Sequence, residues 1–132
     1  MKKINVNFLE PSPQQLNILL GYYQAGRYAD AEKLSLSITK KFPKHTFAWK
    51  VLGIVLKKTG RINEALFANQ KSVQLEPMNM ETNFNLGNTL QELGRLEEAE
   101  TYHKKAISIK PGYAEAHNNL GVTFQRIGRL EE

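Results

Sequence analysis

The chain has 132 residues, with 18 Lys/Arg against 13 Asp/Glu for a net charge of +5, and no cysteine. That length is one domain's worth, and plentiful apolar residues among charges of both signs exclude a disordered polyelectrolyte. The lack of cysteine excludes disulfides and thiolate metal sites and fits a reducing, cytoplasmic setting; no stretch has the ~18 apolar residues of a membrane span or the apolar run of a signal peptide.

Residues 1–11 come first. Ile4, Val6 and Phe8 alternate with polar residues, which predicts a short extended arm, cut off by Pro11 and Pro13. From residue 12 the sequence repeats itself every 34 residues, a period that points to stacked helix pairs. Gly26, Gly60, Gly94 and Gly128 align, each followed by arginine; Ala31, Ala65 and Ala99 align; Pro43, Pro77 and Pro111 align. The units are 12–45, 46–79, 80–113 and a partial 114–132.

Each unit divides into two helical stretches. The first shows helical spacing, as in Trp49, Leu52, Gly53 and Leu56, or Leu86, Gly87, Leu90 and Leu93. The glycine of each Gly-Arg pair is placed to take the left-handed conformation that closes this helix. The second stretch, such as Leu96–Ile109, carries Glu97, Glu98 and Glu100 early and Lys104, Lys105 and Lys110 late, the order the helix dipole favours. A proline then stops it. Small residues at fixed phase (Gly53, Gly87, Gly121; Ala31, Ala65, Ala99) predict close helix packing.

The landmarks Trp49-x-x-Leu52-Gly53-x-x-Leu56, Gly60, Ala65 and Pro77 resemble the tetratricopeptide repeat over residues 12–132. The resemblance implies an all-α, right-handed superhelical solenoid of antiparallel helix pairs, seven helices plus a fragment. Unit one departs from it at Gln15 and Leu19. Ser35 and Asn69 stand where the family usually has an aromatic, so looser packing is expected at both. The chain stops on "GRLEE", and Phe124, Ile127 and Leu130 would ordinarily be covered by a following helix. Two expectations follow: the chain is a segment of a larger protein, or its open end self-associates.

In such solenoids the first helices line the concave side. The stripe opposite their packed face reads Pro13, Leu16, Asn17, Leu20, Tyr23 and Gln24 in unit one, and Phe47, Lys50, Val51, Ile54, Lys57 and Lys58 in unit two. Unit three has Glu81, Phe84, Asn85, Asn88, Gln91 and Glu92; unit four has Glu115, Asn118, Asn119, Val122, Gln125 and Arg126. Asparagine recurs at Asn17, Asn85 and Asn119, and a primary amide can both donate to and accept from a peptide backbone. The peptide-binding residues expected on this face are Phe47, Lys50, Ile54, Phe84, Asn85, Asn88 and Asn119, holding an extended or amphipathic segment. The family's grip on a C-terminal carboxylate matches only at Lys50 and Asn85; Ile54, Glu115 and Asn119 replace its other polar or basic groups. Units such as Tyr113–Gly121 also resemble those of long bacterial repeat proteins, some of which carry a glycosyltransferase or sulfotransferase domain. By that resemblance this stretch would position a transferase's protein substrate.

No nucleophile elbow, metalloprotease or phosphate-loop motif occurs, and His45, His103 and His117 fall at turn or packing positions. No catalytic residue, metal or cofactor is therefore expected. Residues 1–66 hold 11 Lys/Arg against 4 Asp/Glu, and residues 67–132 hold 7 against 9. The basic half, with Phe47 among Lys50, Lys57 and Lys58, raises single-stranded nucleic acid as an alternative ligand, though Glu81 and Glu92 interrupt the track.

Overall fold

A computed structural model describes residues 10–128. They form seven helices: α1 (Pro13–Gln24), α2 (Tyr28–Lys41), α3 (Thr46–Lys58), α4 (Ile62–Leu75), α5 (Met80–Glu92), α6 (Leu96–Ile109) and α7 (Ala114–Arg126). No strand occurs among the described residues, and the fold is an all-α helical repeat. The expected arm at Ile4, Val6 and Phe8 and the closing residues 129–132, with Leu130, lie outside the described residues.

The helices begin and end where local chemistry requires. Ser12 caps α1 by accepting from Gln15 N at 3.1 Å, while the Gln15 side chain accepts from Ser12 N at 3.3 Å, and Pro13 follows as the first helical residue. Asn79 caps α5 by accepting from Thr82 N at 3.1 Å. At the other ends, Gly26, Gly60, Gly94 and Gly128 have φ of 75°, 86°, 78° and 79°. After α3, Gly60 N donates to Lys57 O at 3.1 Å and Arg61 N to Leu56 O at 2.8 Å. This paired closure satisfies carbonyls the helix would otherwise leave bare, and it needs the left-handed residue that glycine supplies. The arginine that follows turns to an acid in the first turn of the second helix: Arg27 to Asp30 at 2.7 Å, Arg95 to Glu98 at 2.7 Å. Arg61 contacts Glu64 at 4.0 Å and also pairs with Glu32 of the preceding unit.

A second repeated bond fixes the turns between units. Trp49 Nε1 donates to Pro43 O at 2.8 Å, Asn83 Nδ2 to Pro77 O at 2.9 Å, and His117 Nε2 bonds to Pro111 O at 2.7 Å. Three different side chains deliver an N–H to the same carbonyl. A carbonyl can only accept, so the network assigns the His117 proton to Nε2.

Each first helix packs on the second helix of its own unit and on that of the unit before: α3 on α4 and α2, α5 on α6 and α4. The core is consequently a chain of clusters. Leu19, Ile38, Phe42, Val51 and Val55 form one, Trp49, Leu52, Leu56 and Ala68 the next, and Val73, Leu86, Leu90 and Ala99 a third. Each large side chain so buried contributes ~1.5–3 kcal/mol. Val51, expected on the concave stripe, is 3% exposed and belongs to the first cluster. The reason is that α3 has neighbours on more than one side, which narrows its free face.

The packing at Ser35 and Asn69 is tight, contrary to expectation: both are buried. A Cβ on Gly53 would lie 2.4 Å from Asn69 Nδ2, and one on Gly87 would lie 2.5 Å from His103 Cδ2. In unit one the sizes are exchanged, with Leu19 at the glycine's position and Ser35 at that of the bulky partner, and both are fully buried. Volume is conserved across the pair although each residue departs from the pattern. Phe124 is likewise buried at 5% exposure, under the Lys104 ammonium at 5.6 Å from its ring, before any further helix is counted.

Candidate functional site

The first helices do leave a groove. Its walls are Tyr23 from α1, Ile54, Lys57 and Lys58 from α3, and Glu81, Phe84, Asn85, Thr89 and Glu92 from α5; Tyr113 and Glu115, at the start of α7, close one side. Gly53 and Asn69 complete the lining of a hollow of about 500 Å³. The stripe of α3 and α5 faces one way because their packed faces are pinned to α4 and α6, and the 34-residue register sets the two helices side by side.

Apolar and polar parts are separated within the groove. Phe84 meets Tyr113 edge-on with ring centroids 5.0 Å apart, an arrangement worth ~0.5–1.5 kcal/mol beyond burial. The Tyr113 hydroxyl donates to Glu115 Oε1 at 2.6 Å. That bond, with burial second, pushes the phenol up to about 12, because ionising it would set two negative charges together. Lys50 pairs with Glu81 at 2.8 Å and Lys57 with Glu92 at 3.4 Å. Both pairs cross from α3 to α5, so the carboxylates neutralise two lysines of the basic track.

Behind the groove lie two polar links, a buried one and a partly buried one. Thr89 Oγ1 donates to Asn69 Oδ1 at 2.6 Å. His103 Nε2 bonds to Asn88 Oδ1 at 2.9 Å, and the same oxygen accepts from Asn119 Nδ2 at 2.6 Å. Burial first, and the Lys57 charge second, bring the His103 pKa down to about 4, so the ring is neutral at ordinary pH.

The seven residues expected on this face do not all meet. Ile54, Phe84 and Asn85 line the groove together. Lys50 sits beside it, engaged with Glu81. Phe47 is half-buried against the first core cluster. Asn88 and Asn119 bond to each other between α5 and α7, whereas Asn85 Nδ2 has no hydrogen-bond partner among the described residues. Sequence reasoning missed Tyr113, which lies in the turn before α7, outside any helix stripe. Its counterparts one and two units earlier are Asn79 and His45, so no recurring residue type marked the position. No group of three or more His, Asp or Glu residues among those described could hold a metal ion, and no described helix is long and apolar enough to cross a membrane.

Fold and groove together define a helix-pair repeat protein with an open concave face. Residues 79–132 match the family model for the tetratricopeptide repeat. The sequence matches no curated protein. Among solved structures, the chain is similar to a crystal structure of MamA at a TM-score of 0.84 and 22% identity, covering 89% of this chain and 68% of that one. It is also similar to MamA from Desulfovibrio magneticus RS-1 (TM-score 0.83, 22% identity, 89% of this chain and 66% of that). The first tetratricopeptide domain of Spaghetti (RPAP3), bound to the HSP90 peptide SRMEEVD, gives a TM-score of 0.82 at 18% identity, covering 89% and 96%. The chain thus spans about two-thirds of the MamA structures and nearly all of the RPAP3 domain. Residues 79–132 thus match the tetratricopeptide-repeat family, and the chain shares the fold of these helical-repeat structures.

Proposed function

We propose that the chain is a non-catalytic scaffold that binds an extended protein segment in the groove of α1, α3 and α5. The observation that carries this reading is the Asn85 amide. It lies in the groove wall beside Phe84 and Ile54, and its Nδ2 donor has no partner among the described residues. A buried donor left unpaired costs ~1–3 kcal/mol, and a small rotation of the amide toward a bound backbone carbonyl would recover it. The RPAP3 domain's binding of a peptide supports the mode of binding. It does not supply the ligand: Glu115 and Glu92 line this groove and Lys50 is engaged with Glu81, so an acidic C-terminal tail meets carboxylates. The same ion pairs weigh against single-stranded nucleic acid: they leave Lys58 as the one groove-lining cation without an acidic partner among the described residues, and a run of phosphates needs several. The region would hold its ligand in the same way as a solitary scaffold or as the substrate-positioning part of a longer transferase.

Selection of a random twelve-residue peptide library on the immobilised chain tests the proposal. Enriched peptides should bind by fluorescence polarisation, and Asn85→Ala should weaken them while the circular dichroism spectrum stays helical. No enrichment, or affinity indifferent to Asn85→Ala, would overturn it.

A further inference from the structure

Five charged residues line the groove, and three of them are engaged across it: Lys57 with Glu92 at 3.4 Å, and Glu81 with Lys50 at 2.8 Å. Two remain. Among the described residues Lys58 has no ion-pair partner, and the Glu115 carboxylate accepts only from the neutral Tyr113 hydroxyl. They occupy opposite corners. Lys58 is the last residue of α3, while Glu115 is in the first turn of α7. In the repeat register they stand eleven helical positions apart, about 16 Å along the helix axes at ~1.5 Å per residue. Ile54 and Phe84 fall between those two positions in the register, and Tyr113 and Tyr23 line the same hollow. An extended chain advances ~3.3 Å per residue, so roughly five residues or more separate side chains that reach both corners.

Resting on the peptide-binding reading above, we infer that the groove selects a segment of ordered mixed charge: a carboxylate toward Lys58, a large apolar side chain on the Phe84–Tyr113 wall, and a cation toward Glu115. Uniformly charged segments are disfavoured at one corner or the other. A charge at each helix end also suits its own helix dipole, so the discriminating property is the order in which the ligand's charges are read.

The probes are fluorescein-labelled nine-residue peptides with a central Phe. One carries acids before it and bases after, one the reverse, one acids on both sides and one bases on both sides. Polarisation titrations at low salt should rank one mixed peptide about three- to tenfold above both uniform ones, the scale of two exposed ion pairs. The exchange Lys58→Glu with Glu115→Lys should transfer that advantage to the opposite mixed order; both sites are exposed, and circular dichroism verifies folding. Lys58→Gln alone should reduce the advantage without reversing it. Uniform peptides that bind as tightly as mixed ones, yet weaken with Asn85→Ala, would sink this inference and leave the peptide-binding reading intact. Binding by none of the four would count against both.

Discussion

The Cα of Gly87 faces the imidazole of His103 so closely that a Cβ would stand 2.5 Å from Cδ2 and 2.7 Å from Nε2. The ring cannot retreat, being fully buried and bonded to Asn88. At the matching position in α7, Gly121 has nothing within 4 Å of an added Cβ.

Gly87→Ala and Gly121→Ala should therefore differ in sign. Alanine gains ~1 kcal/mol of helix propensity at both sites, but at Gly87 overpacking costs ~1–3 kcal/mol. Urea denaturation should place Gly87→Ala below the parent and Gly121→Ala at or above it. Equal shifts in one direction would refute the packing account.

Thr89 and Thr123 occupy the same repeat position, filled by Val55 one unit earlier, and all three are buried. Thr89 donates to Asn69, while Thr123 Oγ1 has no partner among the described residues. Thr89→Val should cost ~1–3 kcal/mol by orphaning the Asn69 oxygen, whereas Thr123→Val should be neutral or stabilising. The same denaturation measurement decides, and a larger loss at Thr123 would contradict the bond assignment.

His103 gives stability a pH dependence. An unperturbed imidazole titrates at about 6.5, and in the fold burial brings this one down to about 4. Between those values the unfolded chain binds more protons, so stability is full above pH ~6.5 and falls as pH drops toward ~4, by roughly 2–4 kcal/mol in all. Replacement by Asn, the residue at the corresponding Asn69, should flatten this part of the pH–stability curve. A slope that survives His103→Asn would assign the effect elsewhere.

The Trp49–Pro43 bond should be detectable on its own. Trp49→Phe removes the Nε1 donor and some volume, at about 1–2 kcal/mol. Amide hydrogen exchange should quicken at Lys44 and His45 in the turn and in the first turn of α3, with α6 unchanged. Uniform acceleration throughout would indicate global loosening instead.

Most of the fold was legible in the sequence because the chain says the same thing repeatedly. A glycine that must be left-handed recurs every 34 residues, and a steric requirement repeated at one phase is hard to mistake. Ser35 and Asn69 misled because each was read alone. Packing density belongs to a pair, and Leu19 or Gly53 across the interface completes it. The site was legible only in part. Helical period placed Ile54, Phe84 and Asn85 on one face, but it could not show that Asn88 turns to His103 and Asn119, or that Tyr113 reaches in from a turn.

By itself the sequence determined the number and direction of helices, since capping, termination and periodicity act within a few residues of each other. Tertiary structure decided which groove charges pair with one another and which do not among the described residues. Lys50 meets Glu81 and Lys57 meets Glu92 only after neighbouring units stack, and Coulomb interactions follow distance in space, to which separation along the chain is no guide.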